Sequence, residues 1–78
     1  MEYRITITEC TDRGEQLPIW AKTVAAGNPN AAAKLANGMF KGHGWAPRLY
    51  RAAVQLQDQP KRWIAWLNGT YRMDIEIA

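Results

Sequence analysis

Residues Arg62 to Ile77 read R-W-I-A-W-L-N-G-T-Y-R-M-D-I-E-I, and Asn68-Gly69 stands between two runs that alternate apolar and polar side chains. Asn-Gly is typical of a two-residue type I′ turn, because both residues tolerate the positive φ that this turn requires. The sequence therefore predicts a C-terminal β-hairpin whose loop is Asn68 and Gly69.

A two-residue loop also predicts the register of this hairpin, with Trp66 opposite Tyr71. Because side chains alternate between the faces of a strand, every residue is then assigned to one face. The expected core face consists of Ile64, Trp66, Tyr71, Met73, Ile75 and Ile77, and the expected outer face consists of Lys61, Trp63, Ala65, Thr70, Arg72, Asp74 and Glu76. Trp63 is the large side chain on the outer face, and it lies diagonally across from Arg72.

The length of the chain predicts one domain over residues 1–78. A chain of 78 residues buries only about 60% of the surface that it exposes when unfolded, which is enough for a single core. Hydrophobic residues make up 47% of the sequence and charged residues 22%, and this balance is typical of a folded globular domain. No repeat, linker or low-complexity tract divides the chain.

The single cysteine and the single histidine limit the metal sites, the cofactors and the cellular compartment that are expected. Cys10 is the only cysteine and His43 the only histidine, so neither an internal disulfide nor a four-ligand zinc site is expected. We expect no cofactor. A lone cysteine fits a reducing compartment, and the amino terminus lacks a basic region followed by an apolar run. The expected location is the cytoplasm, and no membrane segment is expected.

The first half of the chain predicts a hairpin followed by a helix. Glu2 to Glu9 alternates as a strand with one buried face, and after a polar turn an extended run follows from about Leu17 to Ala26. Pro18 indicates that this second strand is short or lies at a sheet edge. Asn28 and Pro29 predict a helix start, and the helix is expected to reach about Phe40. The expected buried face of this helix consists of Ala32, Leu35, Ala36, Met39 and Phe40.

The residues from Ala46 to Gln57 fit either a strand or a helix. As a strand, Tyr50, Ala52, Val54 and Leu56 form a core face. The turn-rich link at 58–61 favours the strand, because three strands then form a meander. The range from Gln59 to Asn68 also fits a short helix that is capped by Asp58 and ends at Gly69. The sequence thus predicts an α+β fold: an antiparallel sheet with one helix on one face, in the order β-β-α-β-β-β.

No residue pattern in the chain predicts an enzyme. His43 lies in a Gly-His-Gly loop without a partner that would make it a general base, and the loop lacks the lysine and hydroxyl of a phosphate-binding loop. Asp74 and Glu76 share a strand face, where cross-strand ion pairs with Lys61 and Arg72 are expected.

The predicted outer sheet face supplies the candidate binding residues. The formal charge of +3 comes from the second half of the chain, and it indicates either a solvated surface or a basic patch. Aromatic and arginine side chains on an open face are typical of a protein contact hot spot and of a base-stacking platform. A simpler interpretation is that Trp63 only covers the sheet by packing on neighbouring side chains. The candidate partner-binding residues are Trp63, Arg72, Arg51, Lys61, Arg62 and Gln55.

The junction from Lys22 to Ala36, K-T-V-A-A-G-N-P-N-A-A-A-K-L-A, resembles small phage and mobile-element proteins in which a polar hairpin leads into an S/N-P-x-x-A-A helix and then a meander. Among these, the chain is similar to anti-CRISPR inhibitors of type I surveillance complexes. The resemblance implies a non-enzymatic inhibitor that binds a host protein or ribonucleoprotein complex, and it assigns no functional residue.

Two further expectations follow from the basic second half and the open sheet face. The alternative function is that of a small basic nucleic-acid-binding accessory protein. A homodimer that hides an edge strand or the Trp63 face is compatible with either function.

Overall fold

The computed structural model describes residues 1–42 and 47–78. The elements in chain order are β1 (Glu2–Cys10), β2 (Gln16–Ala25), α1 (Pro29–Lys41), β3 (Val54–Leu56), β4 (Gln59–Trp66) and β5 (Tyr71–Ile77). The strands form one antiparallel sheet in the order β2-β1-β5-β4-β3, and α1 packs on β2, β1 and β5. The predicted α+β class and element order are confirmed. Most of the predicted loop around His43, with Gly44 and Trp45, lies outside the described residues.

Strand β1 is the centre of the core because it pairs with β2 on one side and with β5 on the other. Its side chains Tyr3, Ile5 and Ile7 are buried beneath α1, as the alternation predicts. Strand β2 lies at the sheet edge, which fits Pro18, and the register with β1 shifts between Ile7 and Thr8. At ten residues β2 is not short.

The start of α1 follows from two adjacent residues. Asn28 is extended, and its Oδ1 accepts a hydrogen bond of 2.8 Å from the Ala31 N–H. Pro29 occupies the first helical position, where no N–H is needed. The helix ends at Gly42, whose N–H donates to the Met39 carbonyl at 3.1 Å. The predicted helix start is confirmed.

The buried face of α1 differs from the prediction. Ala33 is fully buried, whereas Leu35 and Met39 keep 49% and 41% of their surface exposed. Small side chains let a helix approach a sheet closely, and the large isoleucines of β1 and β5 already fill the layer between them. The prediction that Leu35 and Met39 belong to the buried face of the helix is therefore wrong. The buried residues of the helix are Ala32, Ala33, Ala36 and Phe40.

The C-terminal hairpin is present, but its loop has three residues, 68–70, instead of two, because Trp66 pairs with Arg72 and Leu67 lies opposite Tyr71. The Oδ1 of Asn68 accepts hydrogen bonds from the Thr70 N–H at 2.7 Å and from the Tyr71 N–H at 3.2 Å. The Leu67 N–H donates to the Tyr71 carbonyl at 3.1 Å. Neither Asn68 nor Gly69 has a positive φ, so the predicted type I′ turn is wrong.

The longer loop moves the register of the hairpin by one residue. Trp66 lies opposite Arg72, and Trp63 lies opposite Ile75. A shift of one residue exchanges the two faces of a strand, and here it exchanges those of β4. The predicted faces of β5 are confirmed, and those of β4 are wrong. On the helix side the hairpin contributes Trp63, Ala65, Leu67, Tyr71, Met73, Ile75 and Ile77.

The segment before β3 is mostly irregular. Only Val54–Leu56 forms a strand, and Val54 and Tyr50 are exposed instead of lying in the core. Leu49 and Ala53 pack against the core in their place, and the Ala53 N–H donates to Asn30 Oδ1 at 2.7 Å. Neither helical alternative is present in the described residues, because 47–53 is irregular, β3 covers 54–56 and β4 covers 59–66. Among the described residues, no helix has the length and hydrophobicity needed to cross a bilayer.

The two glycines in turns should respond differently to alanine. Gly14 has a φ of 80°, so we expect Gly14→Ala to destabilise the fold by about 1 kcal/mol. Gly69 has an ordinary φ, and an added Cβ would have no atom within 4 Å. We therefore expect Gly69→Ala to change the free energy of unfolding by less than about 0.5 kcal/mol. Urea unfolding of the two variants measures this difference. A large loss of stability in Gly69→Ala would contradict the observed loop, because it would indicate the positive φ of a type I′ turn at Gly69.

Tyr71 makes the stability sensitive to alkaline pH. Burial raises the pKa of Tyr71, and so do the hydrogen bond to Glu9, 3.1 Å from the Tyr71 hydroxyl to Oε2, and the charge of that carboxylate. The folded state thus retains a proton that the unfolded state releases, and stability should fall as the pH rises past 10.0, the usual pKa of tyrosine. Thermal unfolding from pH 8 to pH 11 measures the loss, which Tyr71→Phe should reduce. An unchanged pH dependence in Tyr71→Phe would contradict this assignment.

Candidate contact surface

The sheet face turned away from α1 is called the open face, and three rows of cross-strand neighbours cross it. Residues paired across antiparallel strands share a face, so the register places each row directly. The rows are Arg4, Glu76 and Arg62; then Thr6, Asp74, Ile64 and Val54; and then Thr8, Arg72 and Trp66.

The first row is an ion-pair network. Glu76 lies between two arginines, with Arg4 Nη1 at 3.4 Å from its Oε1 and Arg62 Nε at 3.7 Å from its Oε2. The predicted partner Lys61 is replaced by Arg62, because the register is shifted by one residue. Exposed pairs of this kind contribute less than about 1 kcal/mol each to stability. Glu76 offsets the charge of one of the two arginines at this end of the open face.

Arg72 is also held within the protein. Its Nε donates to Asp74 Oδ2 at 3.1 Å, which confirms the ion pair expected there. Its Nη2 reaches across β1 to Gln16 Oε1 on β2 at 3.4 Å. Thr8, the β1 neighbour of Arg72, is buried although it belongs to the open face. Arg72 therefore spans three strands and covers Thr8.

Apolar side chains gather at the β3–β4 end of the open face. Val54 is 55% exposed and lies opposite Ile64, and Trp66 follows two residues later on the same side of β4. Trp66 also lines a cleft of about 280 Å³ together with Tyr50 and Arg51. These five residues, Tyr50, Arg51, Val54, Ile64 and Trp66, are called the Trp66 patch.

The backbone fixes the position of Tyr50 and Arg51 beside Trp66. The N–H groups of Tyr50 and Arg51 both donate to the Trp66 carbonyl, at 2.7 and 3.1 Å. The segment thus continues along β4 past the end of β3. Tyr50 is the most exposed large apolar side chain among the described residues, at 78%. Three kinds of side chain that are frequent in contact hot spots, Trp, Tyr and Arg, meet here.

Trp63 does not lie on the open face, contrary to the prediction. It packs partly buried against the core beneath the sheet, and its ring meets that of Tyr3 edge to face with centroids 6.0 Å apart. The three-residue loop is the cause, because it is one residue longer than predicted and so exchanges the faces of β4. Trp66 takes the outward position that was predicted for Trp63.

The six predicted binding residues are not brought together. Gln55 is paired with Trp63, and Lys61 shares that side of β4 by alternation. Arg62 and Arg72 lie on the open face but are bound to carboxylates. Arg51 alone belongs to the Trp66 patch.

Sequence reasoning missed Trp66, Tyr50, Val54 and Ile64 as surface residues. One signal was present: residues 63 and 66 are an odd number of positions apart, so a strand must turn the two tryptophans to opposite faces. The loop length then decides which of them faces outward. No comparable signal marks Tyr50, because the segment that carries it is irregular.

Comparisons with protein-family models, with curated proteins and with solved structures find no match to this chain. Within residues 1–42 and 47–78, no three His, Cys, Asp or Glu side chains are grouped as metal ligands would be. The contact surface is therefore described from its own geometry.

The two tryptophans of β4 should differ in their effect on stability. We expect Trp63→Ala to lower the free energy of unfolding by about 3 kcal/mol, because it leaves a cavity next to Tyr3. Trp66→Ala should cost about 1 kcal/mol, the size of a cross-strand contact. Urea unfolding of both variants measures the difference. A larger loss for Trp66→Ala would contradict the observed faces of β4.

Proposed function

We propose that this protein is a non-enzymatic binding protein, most concretely an anti-CRISPR-like inhibitor that binds a type I CRISPR surveillance complex and blocks its function. The observation that carries the proposal is the Trp66 patch. It gathers Trp66, Tyr50 and Arg51 around one cleft and adds Val54 and Ile64 beside them. The partner is a host protein or ribonucleoprotein complex.

The arrangement of the open face supports a protein partner. Protein interfaces combine an apolar centre with a polar rim, and the charged residues at the centre are few. The Trp66 patch has this order, because the paired residues Arg72 and Asp74 and the Glu76 network border it. Ion pairs already formed within one chain are held in place before binding, so their side chains lose little freedom when a partner covers them.

A blocking function suits a small rigid scaffold. Tyr50 and Arg51 are bonded through their backbone to β4, and Trp66 is the last residue of that strand. A patch built on a sheet presents its side chains without prior ordering, so more of the contact energy remains for binding. The resemblance of the Lys22–Ala36 junction to anti-CRISPR proteins supports the choice of partner, and its Asn28-Pro29 helix start is present.

The proposal is tested by capture and by phage plating. Tagged protein is incubated with purified type I surveillance complexes, and the retained subunits are identified by mass spectrometry. We expect a stable complex with the wild type and at least tenfold weaker capture with Trp66→Ala. In cells that carry the same system, expression of the wild type should restore plating of a targeted phage, whereas the Trp66→Ala variant should not.

Two matched variants separate binding from folding. Val54→Ser changes the Trp66 patch at an exposed position, and Leu17→Ser changes an equally exposed apolar residue on β2 at the other side of the sheet. We expect the first to weaken capture and the second to leave it unchanged. Failure of the wild type to retain any of the complexes, together with unrestored plating, would rule out the proposed function.

A further inference from the structure

Two clefts meet at Tyr50 and Arg51. The first is the one described above, of about 280 Å³, and Asn68 and Gly69 complete its lining. The second has about 300 Å³ and reaches the helix side of the molecule, where Asn30 and Lys34 of α1 line it. We call them the Trp66 cleft and the Lys34 cleft. Tyr50 and Arg51 form the ridge between them because they line both.

The two clefts carry positive charge that no carboxylate neutralises. Arg51 lines both clefts and Lys34 lines the second, and the described residues that line them include no Asp or Glu. In the described part of the chain, neither cation forms a salt bridge, in contrast to Arg4, Arg62 and Arg72. Arg51 and Lys34 therefore supply positive charge to the clefts that no carboxylate among the described residues pairs with. An anionic ligand is attracted here without breaking an existing ion pair.

The Trp66 cleft adds two aromatic rings to this charge. Tyr50 is 78% exposed and Trp66 is half-buried, and the Tyr50 N–H donates to the Trp66 carbonyl at 2.7 Å. The carboxamide of Asn68 lies in the same cleft, and its Oδ1 accepts hydrogen bonds from the backbone N–H groups of Thr70 and Tyr71. Its Nδ2 is left to donate to a ligand. Aromatic faces with one amide donor suit a flat, polar-edged ring.

We infer that the paired clefts bind a single-stranded segment of nucleic acid. A base stacks on Tyr50 and Trp66 in the Trp66 cleft, and the adjoining phosphates lie near Arg51 and Lys34. A nucleotide joins a planar ring and an anion within one unit, which is the combination that the two clefts offer side by side. Stacking between neighbouring base pairs covers the ring faces in a duplex, so the single strand is the form that fits.

This inference does not rest on the proposed function. Val54 and Ile64, which supply the apolar centre for a protein partner, do not line either cleft. An acidic peptide would satisfy Arg51 and Lys34 but would leave the rings without stacking partners. The observations therefore favour the nucleic acid over the peptide.

Fluorescence anisotropy of a labelled ten-nucleotide oligothymidylate, titrated with the whole chain at low salt, tests the inference. We expect saturable binding whose logarithmic affinity falls with the logarithm of the salt concentration, with a slope of about −1.4 for two phosphates on a single strand. A duplex of the same length should bind at least tenfold more weakly. No binding at low salt, or equal binding of the duplex, overturns the inference.

Variants assign the binding to the clefts. Tyr50→Ala should weaken binding by about fivefold or more, the effect of one lost stacking contact, and Tyr50→Phe should restore it. Arg51→Gln and Lys34→Gln should each reduce the slope against salt by about 0.7. Lys22→Gln is the matched control, because Lys22 is an exposed cation on β2 at the far side of the sheet. Equal losses for Lys22→Gln and Arg51→Gln overturn the site, because they indicate attraction by net charge alone.

Two more measurements distinguish this site from the protein contact. Val54→Ser should leave oligonucleotide affinity unchanged, because Val54 lies outside the clefts. A polyglutamate peptide should compete at least tenfold less well than the oligonucleotide. Equal competition by the peptide overturns the assignment to nucleic acid, and a loss of oligonucleotide binding in Val54→Ser overturns its placement in the clefts.

Discussion

The carboxamide of Asn68 determines the C-terminal half of this structure. Its Oδ1 accepts hydrogen bonds from the backbone N–H groups of Thr70 and Tyr71 and thereby closes a loop of three residues, 68–70. A loop of this length sets Trp66 opposite Arg72 and gives β4 its register against β5. Because strand faces alternate, one local hydrogen-bonding arrangement decides the side on which every residue of β4 lies. The composition of both sheet faces follows from it.

The same register explains how the open face becomes divided. With Glu76 opposite Arg62 and Asp74 beside Arg72, the arginines of β4 and β5 find carboxylates within the sheet. A register shifted by one residue would have set Lys61 against Glu76 and turned Trp63 outward in place of Trp66. The observed register instead leaves Trp66 next to Ile64 and places the ion pairs around them. Charge pairing and apolar exposure are thus two results of one alignment.

The sequence was sufficient for the order of elements and insufficient for the faces of three of them, α1, β3 and β4. Alternation in β1 and the Asn28-Pro29 helix start are local patterns, and both are present. The faces of β4 depended on whether Asn68 supplies a turn residue or a side-chain cap, and Asn-Gly is compatible with both. The prediction that Leu35 is buried was wrong for another reason. Periodicity identifies the apolar side of a helix, but the strands set the space between the helix and the sheet. Fully buried isoleucines at Ile5 and Ile75 leave room mainly for alanine.

The irregular segment before β3 explains why the candidate site could not be predicted from the sequence. Tyr50 and Arg51 are placed by backbone hydrogen bonds to the Trp66 carbonyl, and no side-chain pattern encodes such bonds. Leu49 and Ala53 turn inward on either side of them, which forces the intervening residues to the surface. A large ring and a cation are thereby held at a position that α1 does not cover. At 78% exposure the Tyr50 side chain adds little to the core, so its position is set by the backbone hydrogen bond to β4 and not by packing.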